Sequence, residues 1–577
     1  MNDSESSSSD PGTDDHVPLE GGLTPPQTTL ATLSFTATSI TALRSWVSSL
    51  PLVNTKETAA QLRVATSELA LLEAPYPEKL DYLEAVRPVV HYIGSRLDGL
   101  SLNRAKKDDD RLVHNLFTNL YQGYKGALLD ALLEDKPTNK ELTPLILHRL
   151  ISDLSRMLLR SMQSHQAPHA QLWQELNTCY RVAANRRLLD ASFADDENKN
   201  NSKLAIRNCY IRALLLSSAS PNQLTAGQLS TLFNALEHWC STASLDKEID
   251  NAMLIVDLAR PFPPRLARLV KQPTEPYAVR TEVLAYEIDA YLNGIDGSLV
   301  IPAGMDNDLL RHLVMAWSAV SERRFTRTKA EASMRVCVGL SSIHYFLSGA
   351  TEFSEQLSNG TALLRREVNP FLELDYETTK PQQEAANSHA HFEAQSIDTS
   401  PEGYRIESRE TLPDKAQVGE LIALREESDP RWSVAIIRWI HHAQITNEPV
   451  EEEDTRAHTT MGLQLLCPRA IPVAVRAIQK VGGPTAYARG LLLPELTAIG
   501  QAPTLLTPSV PFVAGQKVQV NRQGLQTTAA LLDTVLLTES VTQFTFRMLD
   551  GYLETKRSGS NIDRLSAMNR EDTTQGP

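Results

Sequence analysis

The spacing of apolar residues in this chain changes near Arg323. Before that point they recur every three or four positions over long stretches. After it they alternate. A helix repeats every 3.6 residues and a strand every two. A chain that keeps the two periods in separate halves must build an all-α part and a β part, not an interleaved sheet.

The first half reads as a succession of helices. In Thr55–Leu72 the residues Ala59, Leu62, Ala65, Leu69 and Leu72 share one face. Pro77–Leu97 places Leu80, Leu83, Val86, Val90 and Ile93 together, with Pro88 expected to kink or split the helix. Asp110–Leu133, Pro144–Met162, Ala167–Ser192, Ser202–Leu216 and Ala226–Thr242 follow the same rule, joined by short polar loops. The residues of a tetratricopeptide repeat are missing, so the expectation is a solenoid-like array or an irregular bundle. Ala252–Leu258 and Thr281–Leu292 read as strands, broken by Pro261–Pro264, and Asp306–Ser321 as a helix with Leu309, Leu313, Trp317 and Val320 on one face.

Beyond Arg323, Met334–Leu340 and Trp432–Ile440 alternate, and Glu420–Leu424 and Gly462–Leu466 are short apolar runs. Strands at this spacing predict a small β-barrel. The pattern continues through Leu491–Leu493, Lys517–Val520, Thr528–Leu537 and Val541–Met548, with a turn at Thr538–Ser540, which predicts a second β-rich unit. The fold class is therefore multidomain α + β. The expected divisions are an acidic, Ser-rich disordered tail at 1–30, a helical domain at 31–305, a barrel with its leading helix at 306–470, a second β-rich domain at 471–556, and a flexible tail at 557–577. A polar insertion at 351–396, part helical around Thr361–Val368, interrupts the barrel. Trp239, Trp317, Trp432 and Trp439 are expected in cores, and His441-His442 in a hairpin turn.

A formal net charge of −14 leaves no global basic field, which argues against general nucleic-acid binding. The five cysteines are widely spaced and never form C-x-x-C, which excludes a disulfide framework and a zinc knuckle. No apolar run approaches a membrane span, and the N-terminus shows no secretory pattern. The expected location is cytoplasmic. His165/His169 and His389/His391 have metal-like spacing but lie in polar segments, and an incidental role is the better reading. No nucleophile–base motif or phosphate loop is present, so no enzymatic activity, cofactor or metal is expected.

The candidate chemistry lies at the period change. Glu322-Arg-Arg-Phe-Thr-Arg327 offers three guanidinium groups just before a strand, and Asp398-Thr-Ser-Pro-Glu-Gly403 ends a polar loop and leads into Tyr404-Arg-Ile406. Planar guanidinium forks match phosphate oxygens and the guanine edge, and a carboxylate accepts from guanine N–H groups. The same residues would also serve as a solvated helix end and an ordinary turn.

In this order, Arg323-x-x-x-Arg327 and Asp398-x-Ser400-x-x-Gly403 resemble the paired motifs of PilZ domains. Val418–Ile422, Arg438-Trp439 and Gly462-Leu463 resemble the later strands of such a barrel. PilZ domains are bacterial receptors for the second messenger cyclic di-GMP. The resemblance implies that Arg323 and Arg327 grip the phosphates and stack on guanine. It implies that Asp398 bonds a guanine edge and that Ser400 and Gly403 complete the pocket, with Arg324 an added candidate. A sensor of this kind would couple the nucleotide to a protein partner bound by the helical domain. The alternative is a ligand-independent helical scaffold with a degenerate docking barrel.

Overall fold

In the computed structural model the described residues are 28–549, apart from 101–105, 135–141, 201–202, 296, 303, 319–327, 359–388, 390, 401, 428, 430, 444–457, 480–484, 496–501 and 523. The chain forms two compact units, which divide between Glu322 and Arg323.

The first unit begins with helices α1 (Ile40–Ser49), α2 (Thr55–Leu71), α3 (Tyr76–Leu100), α4 (Lys106–Glu134), α5 (Leu142–Gln163) and α6 (Ala170–Asn185). Ser39 and Asn54 accept the first free N–H groups of α1 and α2, as cap residues do. A small hairpin, β1 (Ser192–Ala194) with β2 (Lys203–Ala205), precedes α7 (Ile206–Ser218) and α8 (Ala226–Trp239). Thr225 and Gln228 close a reciprocal capping box on α8. Helix α5 is the hub, packed against α4, α6, α7 and α8 and buried on most of its surface. Its Asp153 joins Asp195 in gripping Arg87, at 2.7 Å each, with all three side chains buried. The Arg87 guanidinium holds both carboxyls below the usual range, overcoming burial, which pushes the other way.

Strands β3 (Ser244–Asp246), β4 (Leu254–Asp257), β5 (Arg265–Leu266) and β6 (Pro276–Arg280) then form a four-stranded sheet in the order β3-β6-β4-β5. Helices α9 (Glu282–Leu292) and α10 (Asn307–Ser318) pack as a pair on the same core as the preceding helices. Trp317 on α10 is fully buried and donates its indole N–H to Ser218.

The second unit holds two barrels. Strands β7 (Thr328–Lys329), β8 (Ser333–Val338), β9 (His391–Ser400), β10 (Gly403–Ser408), β11 (Leu421–Glu426), β12 (Ser433–His442) and β13 (Thr459–Cys467) form one sheet, in the order β10-β13-β12-β11-β8-β9-β7. A further β9–β10 pairing closes six of them into a ring and leaves β7 as a short extension on β9. Helix α11 (Leu340–Leu347) packs on this barrel and on the next, and α12 (Phe353–Ser358) follows it. The second barrel, β14 (Ile471–Ala477), β15 (Ala488–Leu493), β16 (Thr504–Pro508), β17 (Lys517–Arg522), β18 (Leu525–Leu537) and β19 (Val541–Met548), is closed by β14–β17. One apolar cluster runs from Cys337, Leu421, Val434 and Ile436 to Leu491, Leu506 and Val541, so the barrels share a core. Ser540 also donates to the buried Glu420 carboxyl across the junction, at 3.0 Å.

Several elements differ from the sequence expectation. Thr281–Leu292 is helical from Glu282, because Leu284, Ala285 and Ile288 are its buried face. Exposed Val283 and Tyr286 fill the opposite face and hide the helical period. Helix α3 continues past Pro88 as one element. Helix α6 ends at Asn185, where Arg187 takes a left-handed φ of 60°. His441 and His442 lie within β12, not in a turn, and His442 meets the Thr459 hydroxyl on β13 at 2.7 Å. The expected insertion ends earlier than 396: His391–Ser396 belong to β9, and Thr361–Val368 lie outside the described residues. His389 stacks on Tyr345 and meets Glu352.

Candidate functional site

The first barrel fills its interior with alternate residues. Phe392 and Ala394 on β9, Ile406 on β10, and Met461 and Leu463 on β13 are buried in one cluster, with Tyr404 packed against it. Strand side chains alternate between faces, so Gly403, Arg405, Gly462 and Gln464 belong to the outer surface.

Asp398 and Ser400 lie in the last residues of β9, not in a loop, and Gly403 opens β10. Ser400 and Gly403 are register partners, and the Ser400 hydroxyl donates to the Gly403 carbonyl at 3.4 Å. Gly403 is buried where β10 crosses β13. A Cβ there would stand 1.9 Å from the Leu463 carbonyl oxygen, a contact no side chain tolerates. This is the physical reason for a glycine at the last position of the D-x-S-x-x-G motif.

The β9–β10 ladder slips beside Asp398. Arg405 faces Asp398 while Ile406 faces Ser396, which leaves Ile397 as the extra residue of a bulge. Bulges bend a strand and re-aim its side chains. Here the Asp398 carboxylate meets the Arg405 Nε at 2.9 Å. On the other edge of β9, Lys329 is the partner of Asp398, and Thr328 that of Thr399.

The same line continues across the barrel. Arg405 faces Gly462, and Gly462 faces Trp439. Asp398, Arg405, Gly462 and Trp439 thus form one cross-strand row spanning about 14 Å at the usual strand spacing. A Cβ on Gly462 would lie 1.9 Å from Trp439 Nε1, so the indole lies across the bare glycine backbone. Trp439 is half-buried on this outer surface rather than in the core expected for it, because β12 slips register between Ile437 and Trp439. The residue at that slip, Arg438, donates to Gln464 at 2.6 Å. Trp239, Trp317 and Trp432 are buried as expected.

The row therefore combines a carboxylate, a guanidinium and a flat aromatic surface over a glycine floor. Those groups can accept from a base edge, pair with phosphate and stack on a purine ring. Arg323, Arg324 and Arg327 lie outside the described residues, but their chain enters at Thr328, beside the Asp398–Ser400 end of β9. Sequence reasoning missed Arg405 and Trp439 as site residues. A glycine inside an alternating strand, Gly462, is the signal that would have found Trp439. Among the described residues no group of three or more His, Cys, Asp or Glu could hold a metal ion.

Comparison with known proteins gives a consistent result. Residues 41–249 match a family described as "Cyclic-di-GMP receptor FimW, N-terminal domain". Residues 253–371 and 369–472 match "Cyclic-di-GMP receptor FimW, middle PilZ domain", and 473–549 match "FimW C-terminal beta-barrel domain". The chain is 28% identical over 572 residues to the cyclic-di-GMP receptor FimW of Pseudomonas aeruginosa PAO1, covering 90% of this chain and 92% of that one. No solved structure matches.

Proposed function

The chain belongs to the FimW family of cyclic-di-GMP receptors, whose N-terminal, PilZ and C-terminal barrel domains it carries in that order, and on that premise we propose that it senses cyclic di-GMP on the outer face of its first barrel. The observation that carries the reading is the register of β7. Thr328, the residue after Arg327, pairs with Thr399, between Asp398 and Ser400. One peptide step of about 3.8 Å separates Arg327 from Thr328, so its side chain would need little reach to the turn, while Arg323 and Arg324 stand five and four residues before Thr328. The arginines would take the phosphates, Asp398 would accept from guanine N–H groups, and Ser400 and Gly403 would shape the hairpin beneath them. Trp439 adds a stacking surface at the far end of the row.

The protein acts in this reading by binding, without catalysis, cofactor or metal. Its output would pass to a protein partner through the helical unit. All five cysteines are free and buried, as suits the reducing cytoplasm, and no described helix is long and apolar enough to cross a membrane. Calorimetric titration of the full chain with cyclic di-GMP tests the proposal. Saturable binding is expected; heat indistinguishable from dilution would favour a ligand-independent scaffold.

A further inference from the structure

The four-stranded sheet of the first unit carries a stretch without a single acid at its edge. Residues 258–273 hold four cations, Arg260, Arg265, Arg268 and Lys271, and no Asp or Glu, in a chain of net charge −14. They leave β4, return along it as the outermost strand β5, and continue through a turn of 3-10 helix, Ala267–Leu269.

The base of this segment is locked. Asp257, buried at the end of β4, accepts from the backbone N–H groups of Ala259, Thr274 and Glu275, and pairs with Arg260 Nε at 3.2 Å. Arg260 also donates to the Gln272 carbonyl at 2.8 Å. This arginine therefore ties the two ends of the segment together, its charge matched by Asp257.

The other three cations are not matched. Arg265, Arg268 and Lys271 are exposed and form no ion pair among the described residues. Glu275, the next acid along the chain, is held by Arg181 at 2.9 Å. Among the cations stand apolar groups that the fold leaves outside its core. Leu269 is 63% exposed and Phe262 38%, with the Arg265 guanidinium over the Phe262 ring at 3.8 Å. Arg260, Arg265 and Lys271 line one small cleft with Phe262 and Leu269, so these groups share a patch. The cleft measures about 40 Å³, room for a few waters, whereas a small-molecule site needs about 300 Å³ or more. The patch is a surface to be covered, not a pocket to be filled.

We infer that this patch docks peripherally on an anionic lipid bilayer. Charge complementarity selects the occupant: unmatched cations face the headgroups, and the long stems of arginine and lysine suit the boundary while their charged ends stay hydrated. Leu269 and Phe262 enter the layer between headgroups and acyl chains. A nucleic-acid backbone would engage the cations but offers no apolar surface to Leu269. The patch lies in the first unit and the cyclic di-GMP site in the second, so the two are separable by mutation.

Cosedimentation of the full chain with vesicles of phosphatidylcholine and phosphatidylglycerol in equal parts, against vesicles of phosphatidylcholine alone, tests the inference. Binding to the anionic vesicles alone is expected, weakening as salt rises. Each cation at such a surface is worth about fivefold in affinity, so Arg268→Ala combined with Lys271→Ala should weaken binding about tenfold or more. Leu269→Ala should weaken it about threefold or more. All three side chains are exposed, so both proteins should keep the wild-type circular dichroism spectrum and affinity for cyclic di-GMP. Polyglutamate, standing in for an acidic protein surface, should compete weakly. No binding to anionic vesicles, equal binding to both kinds of vesicle, or wild-type binding by the double variant would overturn the inference. So would tight binding of polyglutamate with no loss in Leu269→Ala, the result expected of an acidic protein partner.

Discussion

Thr328 pairs with Thr399, so the chain that leaves the arginine arm enters the barrel beside the turn motif far downstream. The long sequence between the motifs is spanned by β8, α11, α12 and the segment before β9, and the sheet brings its two ends together. Loop length adds only slowly to closure entropy, so a long insertion is compatible with a compact site. The D-x-S-x-x-G turn is not displaced by it.

Gly403→Ala should damage the barrel itself. Its Cβ would meet a backbone carbonyl, and neither β10 nor β13 can yield without losing ladder bonds. We expect a loss of about 3 kcal/mol or more, above the usual range for overpacking. Thermal unfolding followed by β-sheet circular dichroism measures it. Wild-type stability would mean that the β10–β13 crossing is looser than described.

Trp439→Ala should weaken cyclic di-GMP by about 1–3 kcal/mol, the usual worth of one base–aromatic stack. Trp439→Phe, which keeps a ring over Gly462, should recover most of that. A phenylalanine variant as weak as the alanine variant would remove stacking as the explanation.

Asp398→Ala should reduce affinity for cyclic di-GMP more than for cyclic di-AMP, because the carboxylate accepts from guanine N–H donors that adenine presents differently. Equal weakening of the two ligands would make Asp398 a structural partner of Arg405.

The periods of 3.6 and 2 residues were enough to read the helical half, both barrels and most strand positions, because burial imposes them. Val541–Met548 has the same limits in sequence and in structure. Thr281–Leu292 failed because Val283 and Tyr286 are exposed apolar residues, which periodicity cannot tell from core. At the site, Asp398, Ser400 and Gly403 were legible as a motif. Their partners were not. Arg405, Gly462 and Trp439 reach Asp398 through register, and both bulges that set that register depend on tertiary pairing. Trp439 read as core because a strand alternation gives no sign of a slip at Arg438.

Glu197 should make the helical unit less stable as pH rises. Burial raises its folded-state pKa to about 7, above the ordinary carboxyl value near 4.5. The folded state therefore binds this proton more tightly, and stability falls between about pH 4.5 and pH 7. His91, lowered to about 4 by burial, acts oppositely by losing stability as pH falls from 6.5. Comparing Glu197→Gln with wild type at each pH isolates Glu197. Denaturant unfolding monitored by helix signal should show the variant more stable by roughly 1–3 kcal/mol at pH 8 and nearly equal at pH 4.5. An unchanged difference between the two pH values would contradict this.

The claim that arm and turn form one nucleotide site is tested most directly at Arg327, next in the chain to Thr328. Calorimetry of wild type and Arg327→Ala with cyclic di-GMP, under the same salt conditions, is the measurement. A charge-assisted contact is worth about 1.5–3 kcal/mol, so the variant should bind roughly 10- to 100-fold more weakly. The same dissociation constant in both proteins would contradict the account.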